Sequence, residues 1–113
     1  FRRVLFRSVL PEDKPLQATI RAWESFSEKV KLHLQLEVQD LHADDEISVQ
    51  LNGQPVRDWR MLETGRLAAP VALDALHLGA NKVDMRLVKR SSKSKVDRIV
   101  TALELHALQE SSR

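Results

Sequence analysis

Hydrophobic and polar residues alternate along several short stretches of this chain. The clearest stretch covers residues 29–38, where five aliphatic residues are separated by polar ones: Val30, Leu32, Leu34, Leu36 and Val38. Successive side chains of a β-strand point to opposite faces, so this spacing predicts a strand with one buried face and one solvated face. At helical spacing the same residues would scatter around the whole circumference, which argues against a helix.

The same alternation predicts strands at residues 16–22, 46–51 and 81–88. A further strand is predicted at 99–108, with Ile99, Leu103 and Leu105 on one face, although this stretch also contains good helix formers. A short strand is expected within 70–76, behind Pro70.

Turn-forming residues separate these stretches. Asn52-Gly53 directly follows the strand at 46–51, and this dipeptide tolerates the positive φ angles of a type I′ hairpin turn. Pro55 cannot donate a ladder hydrogen bond, so the returning strand should be short or at a sheet edge. Between Arg57 and Ala69 the alternation stops, and we expect a long irregular loop with a helical turn near Met61-Leu62.

Half-buried strands joined by short turns are typical of antiparallel sheets. About six of them in a chain of this length predict an all-β antiparallel β-sandwich or jelly roll. We expect a single domain over residues 9–110, followed by a polar tail at 111–113.

The first eight residues, FRRVLFRS, resemble the in-frame translation of a sequencing adapter, and we expect residues 1–8 to be non-native. The native domain would then begin at Val9 and would lack N-terminal strands through truncation. Without the three arginines of this segment, Lys and Arg fall from 18 to 15 against 16 acidic residues. The apparent basicity disappears with them, and so does the case for a nucleic-acid partner.

The composition of the whole chain narrows the class of protein further. A content of 42% hydrophobic and 30% charged residues is typical of a globular domain. No apolar run approaches the roughly 18 residues that a membrane span needs, so no membrane association is expected. The absence of cysteine excludes disulfides and thiolate metal sites.

Four short motifs carry a resemblance to a known class of domain. They are Asp44-Asp45-Glu46, Leu51-Asn52-Gly53, Gly79-Ala80-Asn81 and Leu103-Glu104-Leu105, in this order between residues 16 and 108. The arrangement is similar to the jelly-roll, galactose-binding-like accessory domains at the C-termini of bacterial glycoside-hydrolase-like proteins. The resemblance implies a non-catalytic domain of an extracellular or periplasmic protein, whose partners are an upstream catalytic domain and a carbohydrate. The alternative is a structural or adhesive module of a surface protein with no small ligand.

Trp59 is the first candidate for a ligand contact. An aromatic ring can stack on the apolar face of a sugar, and Arg57 and Arg60 flank this tryptophan with hydrogen-bond donors. The competing interpretation places both Trp59 and Trp23 in the core, because only three aromatic residues follow the first eight.

An acidic cluster between two predicted strands offers a candidate metal site. Asp44, Asp45 and Glu46 follow Asp40 and His42, and oxygen-rich loops can hold Ca²⁺. The spacing matches no known calcium loop, and Asp side chains often bond to nearby backbone amides instead. We therefore expect a solvated turn, with no metal and no cofactor.

No pattern in the chain predicts an enzyme. The basic run 89–95 lies where a polar hairpin loop is expected, and it lacks the interleaved aromatic residues that stack on bases. The histidines show no metal-ligand spacing, although His33 and His106 would lie side by side if their strands are neighbours. Nucleophile motifs and phosphate-binding glycine loops are absent from the sequence.

Overall fold

The chain folds into two antiparallel β-sheets, as a computed structural model that describes residues 2–22 and 30–109 shows. The described residues form nine strands: Arg2–Val9 (β1), Leu16–Ala22 (β2), Val30–Gln39 (β3), Glu46–Leu51 (β4), Gln54–Val56 (β5), Arg60–Glu63 (β6), Arg66–Val71 (β7), Gly79–Lys89 (β8) and Ile99–Gln109 (β9). One sheet has five strands in the order β1-β9-β3-β7-β6, and the other has four in the order β2-β8-β4-β5. The predicted all-β antiparallel sandwich is confirmed.

The core lies between the two sheets and is built from the alternating residues of their central strands. In β3 the aliphatic side chains at 32, 34, 36 and 38 are buried, while the intervening residues are more exposed. The facing layer comes from β8, where Val83, Met85 and Leu87 are fully buried. Burying such a side chain stabilises the fold by roughly 1.5–3 kcal/mol.

The hairpin predicted at Asn52-Gly53 is confirmed. Both residues have positive φ angles, 52° and 85°, which is the requirement of a type I′ turn. The returning strand β5 has only three residues and lies at the edge of the four-stranded sheet, so Pro55 interrupts no central ladder.

The irregular loop expected between Arg57 and Ala69 is wrong, because this region contains the β6–β7 hairpin. Gly65 closes the turn with a φ of 83°. The strand pattern was hidden because residues 67–69 are all buried, whereas a half-buried strand alternates. The helical turn expected near Met61-Leu62 is also wrong, since both residues belong to β6.

The short strand expected behind Pro70 is wrong in its position. Pro70 lies inside β7, opposite His33 of β3, on a stretch of β7 that β6 does not reach. Its missing N–H therefore interrupts no pairing with β6. The residues that follow form a single 3₁₀ turn, Leu73–Ala75.

The adapter-like segment occupies a place in the five-stranded sheet. Strand β1 pairs antiparallel with β9, beginning with Arg2 opposite Leu105. Its sequence alternates, and Val4 and Phe6 pack against the core while Leu5 and Arg7 are exposed. The alternation in residues 3–8 thus fits that of an edge strand of this sheet. The non-native origin of residues 1–8 and the truncation of the domain stay predictions.

Strand β9 is confirmed, but its inward face differs from the expected one. A register shift opposite Glu37 and Val38 changes the phase of the strand, so that Val100 joins the core and Ile99 does not. Beyond the shift, Leu103 and Leu105 are buried as predicted.

None of the described residues forms a helix of the length and hydropathy that crossing a bilayer requires.

Candidate functional site

Asp45 anchors the loop between β3 and β4. Its side chain is fully buried and accepts four hydrogen bonds. Two come from the guanidinium of Arg98, at 2.7 and 2.9 Å from Nε and Nη2. The other two come from the backbone N–H groups of Ser91 and His42, at 2.6 and 2.8 Å. The carboxylate thus joins this loop to the loop that connects β8 and β9.

Arg98 is the partner that sequence reasoning missed. Its side chain is fully buried, and besides the two bonds to Asp45 it donates from Nη1 to the carbonyl oxygens of Ser94 and Val96. A buried guanidinium is tolerated only when it is paired and hydrogen-bonded in this way. Its partner lies 53 residues away along the chain, so no local pattern could have indicated the pair.

The environment of Asp45 favours the ionised carboxylate. Burial raises the pKa of Asp45, but the hydrogen bonds from Arg98, Ser91 and His42, together with the positive charge of Arg98, lower it below its ordinary value of 3.8.

The other two acidic residues of the candidate metal site are both exposed. Asp44 is exposed and lies 3.4 Å from the ammonium of Lys93. Glu46 is exposed at the start of β4. Within residues 2–22 and 30–109, no three His, Asp or Glu side chains are grouped as a metal ion would require. The oxygens of Asp45 are already occupied by four donors, so this turn offers a cation few free ligands.

Two of the motifs that carry the family resemblance meet in space. Asn81, fully buried, accepts hydrogen bonds from the backbone N–H of His77 and from the side chain of Asn52. Asn52 in turn accepts from the backbone N–H of Lys82 at 2.9 Å. The hairpin turn between β4 and β5 is thereby fixed to the start of β8. This network uses the polar atoms of both asparagines internally and therefore has a structural role.

Trp59 lies where the chain crosses from one sheet to the other, between β5 and β6. The side chain is half-buried, packs against the core, and donates from its indole Nε1 to the carbonyl oxygen of Val56 at 3.1 Å. Asp58 immediately before it has a φ of 63°, a left-handed conformation that makes the sharp turn into the crossover.

The ring of Trp59 borders an open depression of about 470 Å³ beside the β3–β4 loop. Its lining combines apolar side chains with a few polar ones: Leu41, His42, Ala43, Asp45, Glu46, Ile47, Trp59, Met61 and Leu67. Because Asp45 is held by Arg98, the polar side chains left to contact a ligand are those of His42 and Glu46.

The predicted companions of Trp59 lie elsewhere. Arg57 and Arg60 are exposed, and neither lines the depression. Arg60 of β6 pairs with Ala68 of β7, and Ala68 pairs in turn with Gln35 of β3. These three residues belong to the outward face of the five-stranded sheet. Trp23 lies outside the described residues.

The basic run is partly neutralised by its surroundings. Arg90 makes a 2.7 Å ion pair with Glu12 and also donates to the backbone at Lys95 and Val96. Lys93 pairs with Asp44. The predicted hairpin loop is wrong, because β8 and β9 belong to different sheets and the run begins the connection between them. The ion pairs neutralise Arg90 and Lys93 within the run.

His33 and His106 stand directly opposite each other, because their strands are neighbours in the five-stranded sheet. His33 of β3 pairs in register with His106 of β9 on the outward face of the five-stranded sheet. His106 lies 3.1 Å from Glu104, a largely buried carboxylate that is also within 3.4 Å of Arg66. Glu104 is therefore engaged in a surface ion-pair network.

No protein-family model and no curated protein sequence matches this chain. The resemblance to jelly-roll accessory domains therefore stays a prediction.

Proposed function

We propose that this domain is a non-catalytic accessory β-sandwich of a larger carbohydrate-active protein, and that it contacts glycan at the depression beside Trp59. The observation that carries the proposal is the position of the indole ring. It is fixed from behind by the core and by the bond to Val56, and it borders an open depression that also has polar side chains. A rigid apolar surface next to a few hydrogen-bonding groups is the usual composition of a small-ligand site.

The carboxylates of the depression support binding over hydrolysis. Glycoside hydrolysis uses two carboxyl groups on either side of the scissile bond, one acting as acid and the other as base or nucleophile. Here Asp45 is buried against Arg98, so Glu46 is the one lining carboxylate without an ion pair in the described structure. In this proposal the domain holds or presents the glycan, and an upstream domain of an extracellular or periplasmic protein performs the chemistry.

A structural or adhesive module without a small ligand is the second candidate. The indole bond to Val56 and the buried network of Asn52 and Asn81 favour it, because both features stabilise the sandwich without needing a ligand.

Titration with oligosaccharides, followed by tryptophan fluorescence and calorimetry, separates the two candidates. The accessory-domain proposal expects binding of at least one neutral oligosaccharide, with a loss of at least about ten-fold, near 1.4 kcal/mol, in the variant Trp59→Ala. His42→Ala serves as a second variant, because it alters the lining without removing a side chain from the core contacts of Trp59. Arg57→Ala is the matched control and should bind as the parent does. Unchanged affinity in both lining variants would mean that the glycan binds outside the depression and would overturn the proposed site. No binding at all with an intact fold would favour the structural module.

A further inference from the structure

A second depression lies on the outward face of the four-stranded sheet. It has a volume of about 190 Å³ and shares no lining residue with the depression beside Trp59. Its lining consists of Pro15, Ser48, Gln50, Asp84, Met85 and Arg86. Pockets for drug-sized ligands have volumes of roughly 300–1,000 Å³, so this depression takes a smaller group, of the size of a single sugar ring.

The register of the sheet brings the polar side chains of this depression together. Met85 of β8 is fully buried in the core, so its neighbours Asp84 and Arg86 point outward. On the adjacent strand β4, Gln50 pairs with Asp84 and Ser48 pairs with Arg86. A carboxylate, a guanidinium and two neutral polar groups therefore converge on one small area.

The carboxylate of Asp84 lacks a donor within the fold. Its Oδ1 atom is shielded from solvent and accepts no hydrogen bond from any residue that the structure describes. A shielded carboxylate oxygen without a donor costs free energy, and such groups are rare in native proteins. The terminal torsion of an aspartate is soft, so a ligand in the depression can donate to either oxygen after a small rotation of the carboxylate.

Arg86 is held in position beside this carboxylate. Its Nη1 atom donates to the carbonyl oxygen of Glu12 at 3.0 Å, and the backbone N–H of Leu87 donates to the carbonyl oxygen of Pro11 at 2.8 Å. The connection between β1 and β2 thus fixes this part of β8. A guanidinium has five N–H donors, and the bond to Glu12 uses one of them, which leaves donors for a ligand.

The charges of the lining balance each other. It contains one carboxylate, that of Asp84, and one guanidinium, that of Arg86, while Lys82 is exposed two residues before Asp84 and lies outside the lining. A small cation would be repelled by Arg86, and a small anion would be repelled by Asp84. A hydroxyl group both donates and accepts, so the hydroxyls of one sugar ring suit Asp84, Arg86, Ser48 and Gln50 together.

We infer that the depression over Asp84 is a separate sugar-binding site, which holds one uncharged sugar ring through its hydroxyl groups. Asp84 accepts from the sugar, and Arg86 donates to it. The inference goes beyond the proposed function, because it concerns the face of the four-stranded sheet and none of the residues beside Trp59. No aromatic ring is among the lining residues, so the affinity of this site depends on hydrogen bonds.

An NMR titration of the isotope-labelled full chain with the neutral disaccharides maltose, cellobiose and lactose locates the contact. We expect at least one of them to shift the backbone amide signals of residues 48, 50, 84 and 86, with saturation at millimolar concentrations. Signals of residues 42, 46 and 59 report separately on the depression beside Trp59, so each site is observed independently of the other.

The variant Asp84→Asn tests the role of the carboxylate. Its affinity for the sugar should fall about ten-fold, because a hydrogen bond to a charged acceptor becomes one to a neutral amide. Its urea midpoint should equal or exceed that of the parent, because a shielded charge without a donor is removed. Asp13→Asn is the matched control and should bind as the parent does, since Asp13 is exposed and does not line the depression.

Three results would overturn the inference. The first is the absence of shifts at residues 48, 50, 84 and 86 with every disaccharide, whether or not the signals beside Trp59 move. The second is equal sugar affinity in Asp84→Asn and Asp13→Asn, or a urea midpoint of Asp84→Asn well below that of the parent, which would give the carboxylate a structural role. The third is tighter binding of the zwitterion glycine than of any disaccharide at the same residues, which would assign the site to charged ligands.

Discussion

Removal of the Arg98 side chain should destabilise the sandwich more than any other single loss of charge in its loops. In Arg98→Ala, the carboxylate of Asp45 stays buried without its cation. The carbonyl oxygen of Ser94 loses the bond from Arg98, and that of Val96 keeps only the bond from Arg90. Breaking a buried ion pair by removing one partner costs about 3–5 kcal/mol. Single domains have total stabilities of roughly 5–15 kcal/mol, so this loss is a large share of the total and, at the lower end of that range, leaves the domain barely folded.

Urea denaturation followed by circular dichroism measures this loss as the change in the free energy of unfolding. Arg90→Ala is the matched control, since Arg90 belongs to the same loop and pairs with the half-exposed Glu12. A pair of that kind contributes about 0–1 kcal/mol. The double variant Asp45→Asn/Arg98→Met should recover part of the loss, because no buried charge is then left unpaired. A cost for Arg98→Ala below 1 kcal/mol, or equal to that of Arg90→Ala, would refute the reasoning.

Two further predictions concern stability. The pKa of Asp45 is lower in the folded state than in the unfolded chain, so its contribution to stability is complete above about pH 4 and is lost as the pH falls through the folded-state pKa. In Asp45→Asn the urea midpoint should therefore fall less steeply on acidification than in the parent protein. An equally steep fall of the midpoint with pH would contradict this. Gly65→Ala should cost about 1–3 kcal/mol, because the new Cβ would lie 2.8 Å from the carbonyl oxygen of Val38 at a φ of 83°. Gly53→Ala, at a similar φ but with no atom within 4 Å, isolates the cost of the φ angle alone, and equal losses in both would show that the close contact costs nothing.

The elements that the sequence predicted are those with a strict period of two. Strand β3 was evident because every second residue from Val30 to Val38 is aliphatic. Asn52-Gly53 marked the β4–β5 hairpin because few other residues accept two positive φ angles. The β6–β7 hairpin was missed because Leu67, Ala68 and Ala69 are buried on both faces and read as a short apolar run.

The candidate site was predicted in part. Trp59 was singled out as a loop aromatic, and the structure places it beside a depression. The polar residues beside Trp59 in the depression are His42 and Glu46, which belong to the β3–β4 region. The arginines adjacent in sequence, Arg57 and Arg60, do not line it. Which loops meet depends on the order of strands in the sheets, and a single sequence does not encode that order in any local pattern.

The position of β9 has a consequence for how the protein forms during synthesis. This last described strand lies between β1 and β3, so it joins the earliest strand of the chain to the middle of the five-stranded sheet. Until the ribosome has released residues 99–109, β3 has an unpaired edge and its leucines lack part of their covering layer. An unpaired edge of this kind recruits strands from other molecules. Slow synthesis or premature termination before residue 99 should therefore yield aggregates, whereas release of the complete strand lets both sides of β9 pair at once.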